Sequence, residues 1–315
     1  MVRHLVFSLL LLNQSLTSFS QQPFPARFRD AVFKNVIVQK NILYRATSTI
    51  SKGTKPKYYL FDFYEPAADS ILNRPIIIWI HGGGFKFGTK TTRGTPIWSK
   101  TFAQRGYVCA AINYRLSKKR PLARFPDLVE GCYDAIEDLR AALQFLKNNY
   151  RQYRIDTNRI ILAGNSAGSM IALQTCYSNP SAFLKLISHT DSTTIYPLQD
   201  PVKIAAIINF WGALFDINWL ENSDVPVVSV HGSKDRVVPF AGNGPLFGSA
   251  AIHKRADSLH IPNDLKIYAG YGHELQKHFI PIFAGSKVKR RWLEAGQFAA
   301  DFLFRELFEK AARKN

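Results

Sequence analysis

The chain of 315 residues has only three cysteines, Cys109, Cys132 and Cys176. An odd number cannot all pair within one chain, and a domain of this size does not depend on disulfides for its stability. A small scaffold held together by disulfides is therefore excluded. We expect the three thiols to be small buried apolar side chains, with a Cys109–Cys132 bridge as the alternative.

Acidic residues and long apolar runs are also scarce. With 23 acidic against 41 basic residues, the formal net charge is +18, a surplus that attracts polyanions but says little about chemistry. The basic residues are dispersed and no nucleic-acid-binding motif accompanies them, so we expect no nucleic-acid partner. No segment is apolar over the roughly 20 residues that a bilayer span needs, so we expect no stable membrane insertion.

Residues 1–20 have the pattern of a secretory signal peptide. Arg3 gives a basic start, residues 5–12 are apolar, and Ser18 and Ser20 are the small residues before the expected cleavage point. The apolar run is about half as long as a membrane anchor requires, which disfavours that alternative. The pattern predicts a secreted or periplasmic protein.

The rest of the chain alternates between strand-like and helix-like segments. Residues 35–44 and 58–64 have the pattern of an antiparallel pair of edge strands. Compact β-branched runs separated by helix-length segments then follow at 76–80, 107–112, 160–163, 204–210, 225–230 and 265–268. This alternation predicts a mostly parallel sheet with helices on both faces. No long linker or internal repeat interrupts it, which indicates a single domain over residues 21–315.

Two helices are clear from apolar periodicity. The second of them runs from about Arg290 to Lys310 and closes the chain. The first has an apolar face formed by Ile136, Leu139, Leu143 and Leu146. Its charged residues are expected on other faces: Glu137, Asp138, Arg140 and Lys147.

The motif Gly-Asn-Ser-Ala-Gly at 164–168 lies where a predicted strand must turn into a helix. Such a turn forces its central residue into strained backbone angles, and its neighbours must lack bulk for the helix to pack on the strand. Ser166 would then project its hydroxyl above the carboxyl edge of the sheet, at the positive end of the next helix. Ser166 is therefore the candidate nucleophile.

A second motif, His-Gly-Gly-Gly at 81–84, follows the apolar run 76–80. Consecutive glycines at a strand end expose backbone N–H groups, so we expect those of Gly83, Gly84 and Ala167 to form an oxyanion hole. A phosphate-binding loop would need a Gly-Lys-Ser/Thr ending, which is missing. His81 has no partner at metal-ligand spacing, so we expect an orienting hydrogen bond from it and no metal.

A serine nucleophile needs a general base and an acid that orients that base. Asp235 lies just beyond the strand-like run 225–230, and His273 lies just beyond 265–268, so both reach the sheet edge that carries Ser166. Asp216 and Asp224 remain alternatives for the acid. Surface or packing roles are expected for the histidines at 253, 260 and 278.

In this order, HGGG, GNSAG, HGSKD at 231–235 and GYGH at 270–273 resemble the α/β-hydrolase fold. The resemblance is to its carboxylesterase branch, related to hormone-sensitive lipase and to bacterial esterases that deacylate plant polysaccharides. It implies an eight-stranded sheet, no metal, no cofactor and an acyl-enzyme on Ser166. Asn165 departs from the acidic residue of many relatives, and the short stretch 181–199 leaves little room for a large cap domain.

The sequence thus predicts an exported serine carboxylesterase, with acetyl or feruloyl esters of plant polysaccharide as the expected substrates. The alternatives are a lipase acting on short-chain acylglycerols and a serine exopeptidase of the same fold, whose motif usually has an aromatic residue where this chain has Ala167. A non-enzymatic binding module would lack the nucleophile or the histidine. Aromatic residues near the expected substrate pocket, Phe85, Trp211 and Tyr271 foremost, line that pocket or serve in ordinary packing. The others are Phe87, Trp98 and Trp219.

Overall fold

The computed structural model describes residues 26–46, 54–187, 202–278, 280 and 284–310. The predicted signal peptide lies outside these residues. The described part of the chain forms an eight-stranded sheet. Its strands are β1 (Val36–Leu43), β2 (Leu60–Pro66), β3 (Arg74–Ile80), β4 (Val108–Ile112), β5 (Ile155–Asn165), β6 (Ile204–Phe210), β7 (Val227–Gly232) and β8 (Asn263–Tyr268).

The strands are ordered β1-β2-β4-β3-β5-β6-β7-β8. Strand β2 runs antiparallel to both β1 and β4, whereas the six strands from β4 to β8 in this order are mutually parallel. The predicted mostly parallel sheet with an antiparallel edge pair is confirmed. Because parallel strands end at the same edge, the loops after β3, β5, β7 and β8 lie together.

Helices cover both faces of the sheet. Alternate residues of β3 show this, because Ile76, Ile78 and Ile80 enter one core cluster while Ile77 and Trp79 enter the other. The helices are α1 (Thr95–Ala103), α2 (Phe125–Asn148), α3 (Tyr150–Tyr153), α4 (Ala167–Tyr177), α5 (Pro180–Leu186), α6 (Ser249–Ser258) and α7 (Ser286–Phe304). Helices α2, α4 and α6 pack in the first cluster, and α1 and α7 pack in the second.

Helix α2 has the predicted apolar face, but two of its charged residues are buried. Asp138 is fully buried, and Glu137 is buried as well. Asp138 accepts hydrogen bonds from the backbone N–H and the guanidinium of Arg115, at 2.7 and 2.9 Å. Periodicity places Asp138 on a face other than the apolar one but does not reveal that it is buried, where the partly exposed Arg115 compensates its charge.

The three cysteines are all free, so the alternative Cys109–Cys132 bridge does not form. Cys109 and Cys132 are buried, as expected of small apolar side chains, while Cys176 is partly exposed.

The α-helical part of α7 ends at Phe304, and a π-helical turn, Arg305–Glu309, follows it directly. Among the described residues, none of the helices combines the length and apolar character needed to cross a membrane.

Candidate active site

Ser166 occupies a sharp turn between β5 and α4. Its backbone angles, φ 54° and ψ −122°, lie in a region that side chains other than glycine rarely adopt. The two flanking glycines allow this turn. A Cβ on Gly164 would lie 2.3 Å from the backbone carbon of Gly168, and one on Gly168 would lie 2.0 Å from the carbonyl oxygen of Ile80. The strained turn therefore depends on both glycines.

Ser166 lies in a hydrogen-bonded chain with the two residues predicted as its partners. The Nε2 atom of His273 is 3.0 Å from the hydroxyl oxygen of Ser166. The Nδ1 atom of His273 is 2.7 Å from Oδ2 of Asp235. All three side chains are buried. This arrangement leaves Nε2 facing the hydroxyl when Nδ1 carries the proton that Asp235 accepts.

The carboxylate of Asp235 is held in place through both of its oxygens. Oδ1 accepts hydrogen bonds from the backbone N–H groups of Val237 and Val238, at 2.8 and 3.0 Å. Nε2 of His231 lies 3.4 Å from Oδ2 and donates to the carbonyl of Val238 at 2.9 Å. Burial opposes ionisation, but hydrogen bonds from His231 and His273 outweigh it and hold the pKa of Asp235 well below its usual range.

The sequence analysis missed the contribution of His231. The residue is the first of the HGSKD segment, four positions before Asp235, and this spacing was the available sequence signal for a contact between the two. Its ring is fully buried, and its Nδ1 atom lies 2.7 Å from the hydroxyl of Ser249. His231 thus helps to fix the acid through Oδ2, the oxygen that His273 also contacts.

The turn that carries His273 is a short 3₁₀ segment, His273–Leu275, in which Glu274 and Leu275 have positive φ. Two side chains of α7 hold this turn. The indole of Trp292 donates to the carbonyl of Glu274 at 2.9 Å, and the guanidinium of Arg291 donates to the carbonyl of Leu275 at 2.8 Å. The closing helix therefore fixes the position of the imidazole.

The glycine-rich loop after β3 lies beside Ser166. Gly83 and Gly84 have φ values of 121° and 59°, and a Cβ on Gly83 would lie 2.1 Å from the carbonyl oxygen of Phe87. Among the described residues, the N–H groups of Gly83, Gly84 and Ala167 donate to no acceptor. Unpaired donors next to a serine hydroxyl are what an oxyanion hole requires. The role predicted for these three groups stays a prediction.

Asn165 and His81 fix this loop. The side-chain oxygen of Asn165 accepts from the N–H of Gly82 at 3.2 Å, which ties the loop to the serine turn. His81 donates from Nδ1 to the carbonyl of Gly82 at 2.7 Å, and its ring stacks on Tyr114. Burial lowers the pKa of His81 to about 4, so its imidazole is neutral near pH 7.

A cavity of about 480 Å³ opens at Ser166. Three of its lining side chains, Phe87, Leu122 and Val237, are apolar and largely exposed. The remaining lining residues include the catalytic candidates and the glycine loop: Gly82, Gly83, Gly84, Gly88, Thr92, Arg93, Asn165, Ser166, His273 and Glu274. The cavity wall is thus apolar at its solvent-exposed side chains and polar around Ser166.

None of the three aromatic residues expected foremost in the pocket lines this cavity. Phe85 and Trp211 are fully buried in the two cores, and the ring of Tyr271 lies under the guanidinium of Arg291. The physical reason is packing in the cores, because Phe85 lies against Gly131 of α2 and the ring of Trp211 lies 6.0 Å from that of Trp98 in α1. Phe87, two residues after Phe85, lines the cavity instead.

An ion pair that the sequence analysis did not predict also lines the cavity. The guanidinium of Arg93 contacts the carboxylate of Glu274, and both side chains are mostly buried. Burial raises the pKa of Glu274, while Arg93 and His273 act in the opposite direction. The two residues are far apart in the sequence, so no local motif indicated their contact.

The alternative acids and histidines lie elsewhere. Asp216 caps a 3₁₀ segment by accepting from the N–H of Asn218 at 2.9 Å, and Asp224 lines a separate surface pocket. His253 is buried against Asn263, whereas His260 and His278 are exposed. Across the described residues, no group of three histidine, cysteine or acidic side chains has an arrangement that could hold a metal ion.

Comparison with known proteins supports the same fold class. Residues 61–217, just under half of the chain, match the family described as BD-FAE. An esterase from Thermogutta terrifontis superposes with a TM-score of 0.58 over 90% of this chain and 96% of its own, at 18% identity. A structure of that enzyme phosphorylated by paraoxon also matches. The chain therefore has the α/β-hydrolase fold.

Two relatives found by sequence are named as esterases. Gut esterase 1 of Caenorhabditis elegans is 34% identical over 30% of this chain and 17% of its own length. Fumonisin B1 esterase of Sphingopyxis macrogoltabida is 31% identical over 37% of this chain and 22% of its own. These matches span about a fifth of the length of each relative. The resemblance to α/β-hydrolase carboxylesterases that the motifs indicated is confirmed.

Proposed function

We propose that the protein is a serine carboxylesterase, in which Ser166 is the nucleophile, His273 the general base and Asp235 the orienting acid. The observation that carries the proposal is the chain of hydrogen bonds from the Ser166 hydroxyl through His273 to Asp235, with distances of 3.0 and 2.7 Å. Unpaired N–H groups beside the hydroxyl and the esterase names of the relatives support it as well.

The reaction follows from this geometry. The hydroxyl oxygen of Ser166 attacks the ester carbonyl carbon while Nε2 of His273 takes the hydroxyl proton. The N–H groups of Gly83, Gly84 and Ala167 stabilise the resulting oxyanion. Collapse breaks the ester C–O bond, and the alcohol leaves with the proton from His273. Water then attacks the acyl-enzyme by the same route, which releases the acid and restores Ser166.

The finer parts of the proposal concern substrate and location. We infer that residues 1–20 direct export and that residues 21–315 act as a single domain. Acetyl or feruloyl esters of plant polysaccharide are the proposed substrates, and the apolar cavity next to Ser166 has room for such acyl groups. A short-chain lipase or a serine exopeptidase of the same fold would use the same three residues, so the substrate assay must include them.

The proposal is tested by replacing Ser166 with Ala. Hydrolysis of 4-nitrophenyl acetate should fall by about 10³-fold or more, because the hydroxyl that forms the acyl-enzyme is removed. Paraoxon should inactivate the wild type and leave an adduct on Ser166 detectable by mass spectrometry. Ser258→Ala, at the exposed end of α6, is the matched control and should keep full activity.

Retained turnover in a folded Ser166→Ala protein would overturn the assignment. A panel of acetyl, butyryl, octanoyl and feruloyl esters with an aminoacyl anilide separates the alternatives. An esterase should prefer acetyl or feruloyl esters, whereas preference for butyryl or octanoyl esters would indicate a lipase. Cleavage of the anilide would indicate an exopeptidase.

A further inference from the structure

An ion pair in the cavity wall joins two segments that carry parts of the proposed machinery. Arg93 lies between the glycine-rich loop and α1, and Glu274 directly follows His273. Their side chains are in contact, with exposed fractions of 15% and 7%, and both line the cavity at Ser166. We call Arg93 and Glu274 the wall pair. It connects the loop that carries proposed oxyanion donors to the turn that carries the general base.

The loop that presents Arg93 is anchored to the sheet. Lys90, three residues earlier, forms a buried ion pair with Asp62 of β2 at 2.7 Å. The backbone N–H of Lys90 donates to the side-chain oxygen of Asn113, just after β4, at 2.6 Å. Arg93 itself has a left-handed φ of 58°, which a residue other than glycine keeps only where surrounding contacts require it. The fold therefore sets the position of the guanidinium.

The other member of the wall pair is held as firmly. Glu274 also has a left-handed φ, 54°. Trp292 of α7 contacts both members, because its indole N–H donates to the carbonyl of Glu274 at 2.9 Å and its ring centroid lies 5.6 Å from the guanidinium of Arg93. One side chain of the closing helix thus supports the backbone of the acid and the charge of the cation.

Other ionisable groups also face the turn of His273. Oδ2 of Asp235, after β7, lies 2.7 Å from Nδ1 and is also contacted by His231. The hydroxyl of Ser166, at the start of α4, lies 3.0 Å from Nε2. From α7, the guanidinium of Arg291 donates to a backbone carbonyl of the same turn. The wall pair adds one charge of each sign to this set.

The two charges of the wall pair act on His273 in opposite directions. Burial raises the pKa of the Glu274 carboxyl, whereas Arg93 and His273 favour its ionised form. Because an electrostatic interaction is mutual, the carboxylate in turn stabilises a positive charge on the imidazole, and the guanidinium opposes that charge. The proposed reaction places this positive charge on the imidazole when the ring accepts the serine proton.

We propose that Glu274 and Arg93 are positioning residues for the general base. Glu274 holds and stabilises the imidazolium that forms on His273, while Arg93 fixes the carboxylate and limits its effect on the proton affinity of the ring. The proposal rests on the esterase function proposed above and adds two residues to that site. It gives the contact between the two segments a role in the reaction.

The test is the pH dependence of kcat/KM for 4-nitrophenyl acetate, which reports ionisations of the free enzyme. The rate is followed at the isosbestic wavelength of 4-nitrophenol, so that product ionisation does not affect it. Glu274→Gln leaves the guanidinium without its carboxylate, so the midpoint of the acid limb should fall by about 0.5–1 pH unit. Arg93→Gln leaves the carboxylate instead, so the midpoint should rise by about the same amount. The double variant should lie between the two.

A conservative variant and a second ion pair serve as controls. Arg93→Lys keeps the cation, so its midpoint should stay within about 0.2 pH unit of wild type. The matched pair is Arg140–Glu137 on α2, which has exposed fractions of 19% and 4% and does not line the cavity. Arg140→Gln and Glu137→Gln change the net charge in the same way and should leave the midpoint in place. The shifts from the wall pair should persist between about 20 and about 500 mM NaCl, because salt screens buried charges little.

The outcomes separate the two proposals. If the wild type does not hydrolyse the ester, the proposed function fails. If the wild type is active, the wall pair proposal is overturned when the single variants move the midpoint in the same direction, or when either moves it by less than about 0.2 pH unit. Equal shifts in the α2 variants would overturn it as well. If Arg93→Gln does not fold, Glu274→Gln and Arg93→Lys decide, because a lower midpoint is expected in the first and not in the second.

Discussion

At the scale of single residues, Asp235 gives the sharpest prediction about chemistry. Its Oδ1 atom accepts two backbone N–H groups, and its Oδ2 atom accepts from His273. In Asp235→Asn, the amide oxygen would stay with the backbone donors, so the NH₂ group would face Nδ1. His273 would then carry its proton on Nε2, where it can no longer accept the proton of Ser166.

We therefore expect Asp235→Asn to lower kcat for 4-nitrophenyl acetate by about 10³- to 10⁴-fold with the fold intact. Asp216→Asn is the matched control, because asparagine preserves the hydrogen bond that Asp216 accepts from Asn218. A kcat within tenfold of wild type in Asp235→Asn would show that another acid orients His273. Circular dichroism and a thermal midpoint establish that both variants are folded.

Proximity of site residues can be predicted from sequence where a side chain directly follows a strand. Ser166, Asp235 and His273 each follow a parallel strand, which predicts that they share one sheet edge, and the structure brings the three side chains into contact. Their catalytic roles stay predictions. The pocket aromatics could not be predicted in this way. Phe85 and Phe87 lie on one loop, and backbone angles that the sequence does not reveal bury one and expose the other.

At the scale of elements, the close approach of α4 to β3 positions Ser166. A Cβ on Gly168 would lie 2.0 Å from the carbonyl oxygen of Ile80, and backbone cannot move aside as a side chain can. We expect Gly168→Ala to lower the free energy of unfolding by about 1–3 kcal/mol. A displacement of α4 by about 1 Å should also lower kcat by roughly 10²-fold. Chemical denaturation and steady-state kinetics measure the two effects.

Gly296 in α7 is the matched helical glycine. A Cβ there would lie 3.3 Å from the indole of Trp98, a side chain that can adjust. Alanine also favours a helix over glycine by about 0.5–1 kcal/mol, so Gly296→Ala should change stability by less than about 1 kcal/mol. If both variants lost stability equally, the close approach at Gly168 would not be the cause.

Elements were predictable from sequence more reliably than the environment of their polar residues. Each predicted strand exists, since β-branched runs of this length suit a buried parallel sheet. β5 begins earlier than the apolar run indicated, at Ile155, because pairing of Arg74 with Ile155 extends the ladder. The burial of Asp138 could not be predicted, because Arg115, which compensates its charge, is 23 positions away and invisible to helical periodicity.

At the scale of the whole molecule, unfolding exposes every buried titratable group, so stability depends on pH. His81 provides a measurable case, because burial lowers its pKa from 6.5 to about 4 in the folded chain. Above pH 6.5 the ring is neutral in both states and its contribution to stability is complete. As pH falls from 6.5 to 4, the unfolded chain binds a proton that the folded chain does not, so this contribution is lost.

The loss should approach about 3 kcal/mol at pH 4, since each pKa unit corresponds to about 1.4 kcal/mol. Other buried groups also titrate, so the measurement is the difference between wild type and His81→Asn, in which their contributions cancel. We expect the variant to be less stable at pH 7 and this deficit to shrink steadily down to pH 4. The chain offers His260→Asn as the control for loss of an imidazole, since His260 is exposed and its left-handed backbone suits asparagine. A His81→Asn deficit that stays constant would mean that the folded chain protonates His81 as readily as the unfolded chain does.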